Sequence, residues 1–330
     1  MRIALPDPGF TPFPPYSPDL LTSEKRRSYT YNPGYIGEAG GRNRIELSIN
    51  NLGMRDDDVT PGEPIDVLAV GDSFTAGYMI SADEAWPARL EHHLQKQSNG
   101  VQRVLNGGVS GYSIRQIRFA AEDYLSLKPD VVVAGAYLKG ANRLFSPYVM
   151  FNGYSLREHT LPFLKMTDQG FLKAIDTPVA AVETQFWMME NFKLGAWILL
   201  EMAPLIEKPL ELPVYDSVEH EMAEYAEELQ KLKAATDNAG AELIVMLVTQ
   251  QEPSGEFSER SKKYNEVISA YCKTNGIRVY NPTPAFEAYP EEGPVFRVGG
   301  FNFHWSQLGN DLAAEGLATL ILETGLIQPD

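Results

Sequence analysis

The feature that most constrains this chain is the run Ile65-Asp66-Val67-Leu68-Ala69-Val70, followed at once by Gly71-Asp72-Ser73-Phe74. A near-continuous apolar run of this length reads as a buried strand of a parallel sheet, since helices cover both faces of such a sheet. Gly-Asp-Ser then forces a sharp turn at the strand's carboxyl end, where open α/β sheets place their sites. A serine there has backbone N–H groups nearby, as an acyl-transfer nucleophile requires. The same tripeptide suits a helix N-cap, so its position, not its composition, makes Ser73 the candidate nucleophile.

Three further blocks follow. Asn106-Gly107-Gly108-Val109-Ser110-Gly111-Tyr112 comes after a short strand, Gln102 to Leu105. Lys128-Pro129-Asp130-Val131-Val132-Val133 opens a strand whose downstream loop carries Gly140-Ala141-Asn142. Asn302-Phe303-His304-Trp305-Ser306 stands just before an apparent last helix. Together these blocks resemble the SGNH/GDSL hydrolases, esterases and acyl-transfer enzymes named for a Ser, a Gly, an Asn and a His in separate blocks. The resemblance spans roughly residues 45–145 and 240–325. Upstream, Ile49-Asn50-Asn51-Leu52-Gly53-Met54-Arg55-Asp56 is similar to a segment that precedes the serine block in many bacterial members.

The resemblance implies a three-layer α/β/α sandwich on a central parallel sheet, the flavodoxin-like SGNH hydrolase fold. It implies a serine-dependent ester hydrolase working through an acyl-enzyme, on short-chain acyl or carbohydrate O-acetyl esters. No metal and no organic cofactor is implied. An O-acyltransferase using the same site is an alternative, and so is a catalytically weakened binding module.

Acyl transfer needs a base, and the chain has five histidines: His92, His93, His159, His220 and His304. His92 and His93 lie on a polar helical stretch and are expected to face solvent. His220 sits in the charged run Glu219 to Glu228, and His159 stands beside Arg157 and Glu158. His304 alone lies in a loop ahead of the last helix, from which it could return towards Ser73. By the resemblance, the oxyanion hole takes the backbone N–H of Ser73, the backbone N–H of Gly111 and the amide of Asn142. Gly107 and Gly108 read instead as glycines that permit a tight strand exit. Arg143 stands where the family has Asp, and it could attract an anionic substrate group or pair with an acid nearby. Tyr78 is a second candidate substrate contact.

One departure matters. Family members carry an aspartate two or three residues before the histidine, and here those positions hold Asn302 and Phe301. An Asn oxygen can accept the imidazole N–H but brings no negative charge. The alternatives are a Ser-His-Asn or Ser-His system, an acid from elsewhere, or an engineered substitution. Asp72 is the nearest other acid, though its place suits a turn role better.

A net charge of −16 argues against nucleic acid as a partner. The single cysteine, Cys272, allows no intrachain disulfide and no Cys cluster for zinc, and its neighbours suggest an inert helix position. No apolar run reaches the ~18 residues of a membrane span, and Met1 to Pro15 lacks the pattern of a secretory signal. The chain as written is therefore expected to be cytoplasmic, with a small-molecule or carbohydrate ester as its partner.

Residues 1–60, rich in Pro, Gly, Tyr and Arg, read as a loop-rich extension packed on the main domain. Residues 61–330 read as that domain, with strands and helices alternating as a parallel sheet requires. Helices are expected at about 84–97, 113–127, 216–235 and 307–323, and strands at 242–248 and 277–280. The rhythm breaks at about 146–215, which reads as an insertion with its own helices, either core packing or a lid over the serine.

Overall fold

In the computed structural model, residues 20–24, 26–39, 45–98, 103–137, 148–151, 154–157, 164–167, 170–174, 218–300 and 302–327 are described. The centre is a five-stranded parallel sheet of β5 (Val67–Val70), β6 (Val104–Asn106), β7 (Val131–Ala136), β12 (Glu242–Leu247) and β13 (Arg278–Tyr280). Their spatial order is β13-β12-β7-β5-β6. From β5 the chain crosses first to β6 on one side and then to β7 on the other. That reversal opens a crevice at the carboxyl ends of β5 and its neighbours.

Why the strands read as unbroken apolar runs is plain from their burial. Every residue of β5, β6 and β7 is buried, and successive side chains go to opposite faces. Leu68, Val70, Val132, Ala134, Leu243 and Val245 join one core, while Val67, Ala69, Val131, Val133, Ile244 and Met246 join the other.

The first core packs under α3 (Ile114–Tyr124), α4 (Val218–Ala239) and α5 (Glu259–Thr274), through Ile117, Leu229 and Ile268. The second packs under α2 (Trp86–Gln97), α6 (Thr283–Glu287) and α7 (Gln307–Glu323), through Leu90, Phe286 and Leu317. Helices on both faces of a parallel sheet make the three-layer α/β/α sandwich that the sequence predicts. Among the described residues, no helix is long and apolar enough to cross a membrane.

Residues 20–48 hold two antiparallel hairpins: β1 (Leu21–Glu24) with β2 (Ser28–Tyr31), and β3 (Ile36–Ala39) with β4 (Ile45–Ser48). The first is tied to the glycine block: the Tyr29 hydroxyl donates to Ser110 O (2.8 Å), and the Tyr112 hydroxyl donates to Tyr29 O (2.6 Å).

The expectation of a helical insertion needs correction over its first part. Tyr148–Phe151 (β8) pairs with Tyr154–Arg157 (β9), and Leu164–Thr167 (β10) with Gly170–Ala174 (β11), so these pieces are β-hairpins. The signal was in the sequence, since Asn152-Gly153 between Tyr148-Val149-Met150-Phe151 and Tyr154-Ser155-Leu156 is a strong hairpin mark. Residues 175–217, with the aromatic and methionine clusters read as core or lid, lie outside the described residues.

Candidate active site

Ser73 opens a one-turn helix, α1 (Ser73–Ala76), directly beyond β5. Asp72, not Ser73, is the N-cap: its Oδ1 accepts from the Phe74 N–H at 3.0 Å. That fixes the turn and leaves the Ser73 hydroxyl free for another partner. Arg55 holds the far end of the same turn. Its buried guanidinium donates to Ala76 O (2.8 Å), Gly77 O (2.6 Å) and Ile80 O (2.7 Å), carbonyls left without helical partners. So the upstream Asn50-to-Asp56 segment serves as a clamp on the serine turn.

The glycine block is tied to the same turn. Val109 N–H donates to Gly71 O (3.0 Å), and the Asn106 Oδ1 accepts from Gly108 N–H (3.1 Å). Gly108 is needed for close approach: a Cβ there would meet the backbone of Thr75 and Ala76. This departs from the strand-exit reading of that glycine. Gly111 has φ of +87°, a left-handed conformation that other residues adopt at a cost. Asn142 and Arg143 lie outside the described residues.

His304 reaches Ser73 across 231 positions of sequence, with Nε2 2.7 Å from Oγ. It lies not in a loop but on the short strand β15 (Asn302–Trp305), paired with β14 (Arg297–Val298). Two neighbours anchor that strand: the Trp305 indole N–H donates to Thr249 O (2.7 Å), and Asn310 Nδ2 donates to Trp305 O (3.0 Å). The other ring nitrogen, Nδ1, lies 2.6 Å from Asn302 Oδ1, which also accepts the His304 backbone N–H at 3.0 Å. An oxygen in that place fixes the tautomer, with the proton on Nδ1 and the Nε2 lone pair on the Ser73 hydroxyl. Asn302 Nδ2 donates in turn to the Met79 sulfur at 3.4 Å. Met79 has φ of +64°, an uncommon left-handed value for a residue with a Cβ.

Tyr78 lies over the His304 ring, with centroids 4.5 Å apart. Burial pushes its phenol up, so the hydroxyl is a neutral donor at ordinary pH. The structure thus brings together Ser73, His304, Asn302 and Tyr78, with the Gly111 block fastened to the serine turn.

Of two other expectations, that for His92 and His93 needs correction in part and that for Cys272 holds. His93 is buried, not solvent-exposed, with its Nε2 2.9 Å from Asp311 Oδ1, joining α2 to α7; His92 is exposed. Cys272 is buried in α5, where burial pushes its thiol up to about 12, which leaves it inert. Arg55 and Met79 were not identified as site-building residues by sequence reasoning. Arg55 carried a signal in its block, whereas nothing in the sequence singles out Met79.

Residues 69–136 match the GDSL-like lipase/acylhydrolase family. The match covers the serine turn, the glycine block and the strand after it, and it supports a carboxylic ester hydrolase. No curated protein matches the chain. Among solved structures, a catalytic mutant of Axe2, an acetylxylan esterase from Geobacillus stearothermophilus, is 18% identical; the match covers 80% of this chain and 95% of that one, with a TM-score of 0.45. A lipase/acylhydrolase from Enterococcus faecalis is 15% identical over 81% of this chain and 99% of its own, with a TM-score of 0.46. A GDSL-like lipase from Bacteroides thetaiotaomicron is 14% identical over 78% and 88%, with a TM-score of 0.41. Likenesses at that level add nothing to the geometry above.

Proposed function

We propose that the chain is a serine-dependent ester hydrolase acting through an acyl-enzyme. The observation that carries this reading is the 2.7 Å contact between Ser73 Oγ and His304 Nε2, with the opposite ring nitrogen held by Asn302. As Ser73 Oγ attacks the ester carbonyl, its proton passes to Nε2. Collapse of the tetrahedral adduct breaks the bond to the alcohol, which leaves with that proton. Water then gives a proton to Nε2 and attacks the acyl-enzyme, and the acid is released as Ser73 regains its proton. The backbone N–H groups of Ser73 and Gly111, with the Asn142 amide, are assigned to the oxyanion. Arg143 and Tyr78 are assigned to substrate contact. Short-chain acyl or carbohydrate O-acetyl esters are the proposed substrates.

Turnover of p-nitrophenyl acetate and of acetylated xylo-oligosaccharides, in the absence of any acceptor sugar, tests this reading. Release of acetate that disappears in Ser73→Ala supports hydrolysis. Acetate transfer that occurs only when a sugar acceptor is added points to an O-acyltransferase. The neutral Asn302 at the orienting position favours the binding module as a second reading. Sugar-ester binding with no turnover at any pH would establish it.

A further inference from the structure

The base of a serine esterase becomes an imidazolium in the transition state, and it needs something to stabilise that charge. Asn302 offers His304 an oxygen but no charge. What surrounds the ring is aromatic. The centroids of Phe303, Tyr78 and Phe74 lie 4.3, 4.5 and 4.8 Å from that of His304. Phe303 is stacked on it, with 25° between the planes. An aromatic face is the negative end of the ring quadrupole, and a cation within ~6 Å of the centroid is attracted to it.

Phe303 is not explained by core packing. It is 36% exposed, one of two large apolar side chains exposed among the described residues. His304 beneath it is 5% exposed, so the imidazolium would form in a poorly hydrated place where such an attraction is less screened.

Other charged groups on the elements around His304 are already engaged. On the α1 turn, Asp72 accepts from Phe74 N–H. On β14, Arg297 donates to Gln251 O and Gly300 O. On α7, Asp311 is held by Arg89 and His93. The Tyr78 phenol is kept neutral by burial.

We propose that Phe303, Tyr78 and Phe74 enclose His304 and stabilise its imidazolium, as positioning residues that offset part of what a triad carboxylate would supply. This rests on the reading of Ser73 and His304 as nucleophile and base.

The test replaces Phe303 in the full-length protein with mono-, di- and trifluorophenylalanine. These withdraw charge from the ring face while nearly keeping its shape. The titration of His304 is followed by NMR, its signals assigned with His304→Gln. A half-exposed ring contributes at the lower end of the cation–π range, so the pKa should fall stepwise, by roughly 0.3–0.5 unit over the series. The acidic limb of kcat/KM against pH should move down equally, with plateau kcat falling two- to threefold and KM little changed (order-of-magnitude). A titration independent of fluorine number would overturn the proposal, as would a pKa that rises. The NMR readout needs no activity. If the wild type hydrolysed no ester, the reading of the site would fall while the titration still decided the enclosure.

Discussion

Replacing Asn302 by Asp probes the site's departure from the family pattern most directly. The Asp Oδ1 would keep both contacts the Asn oxygen makes, to Nδ1 at 2.6 Å and to the backbone N–H at 3.0 Å. Two things would change. The second oxygen would face the Met79 sulfur, which now accepts from Nδ2 and has no proton to return. A full negative charge would also stand beside the ring that becomes cationic. Two unit charges ~4 Å apart attract by about 4 kcal/mol at an effective dielectric near 20. Placing the carboxylate in a partly dry site, short of one donor, takes back a part of that, of order 1–3 kcal/mol. A net of roughly 1–3 kcal/mol corresponds to about a 5- to 150-fold rise in plateau kcat/KM. That is less than the ~10⁴-fold effect of Asp-to-Asn exchange in a serine protease, where the amide leaves the wrong tautomer. Here Asn302 already selects the right one. The charge should also raise the pKa of His304, so the acidic limb moves up by about one to two pH units. Activity at pH 6 would then gain little, because the base would be protonated there. The assay is p-nitrophenyl acetate hydrolysis from pH 5 to 10, with near-UV circular dichroism as the control for fold. An unmoved limb with plateau kcat/KM equal to or below wild type would refute the assignment of Asn302 as the orienting group.

Further outcomes follow from the same contacts. Met79→Leu removes the acceptor of the Asn302 amide and should lower kcat by a fewfold; the effect should vanish in an Asn302→Asp background, which a double-mutant cycle in kcat/KM reads directly. Arg55→Met leaves the Ala76, Gly77 and Ile80 carbonyls without their buried donor and should cost about 2–4 kcal/mol in urea unfolding, with loss of activity as the serine turn loosens. Burial pushes the Asp311 carboxyl up, but its hydrogen bonds to Arg89 and His93 outweigh this and hold it below the usual carboxylate range. A depressed folded pKa means that its contribution is present above the unfolded value, near 3.9, and is lost as pH falls through the folded one. Asp311→Asn should therefore lower the thermal midpoint at pH 7 and leave it unchanged near pH 2.

Much of this fold was legible because its strongest determinants are local. β5, β7 and β12 are buried on both faces, so their sequences are continuous apolar runs, and α7 was bounded as found at 307–323. Ser73 and His304 could be paired from sequence because Ser73 follows a buried strand, His304 stands just ahead of the last helix, and the family resemblance assigns these two positions to nucleophile and base. What was not legible depends on contacts between distant segments. His93 lies on the face of α2 that Trp86, Leu90 and Leu94 bury, but its partner Asp311 on α7, 218 positions away, could not be read from that period. Met79 meets Asn302 from 223 positions away through an unusual backbone angle. The hairpins at 148–174 were missed for another reason. Helices were expected there because the segment is too long for an ordinary connection, and length alone does not separate helices from hairpins.

If Ser73 is a nucleophile activated by His304, treatment with a fluorophosphonate will label it, and intact-mass spectrometry with peptide mapping will show where. One adduct is expected, on the peptide containing Ser73, absent in Ser73→Ala and formed at least ~10²-fold more slowly in His304→Ala. An unlabelled wild type, or an adduct on any other residue that persists in Ser73→Ala, would contradict it.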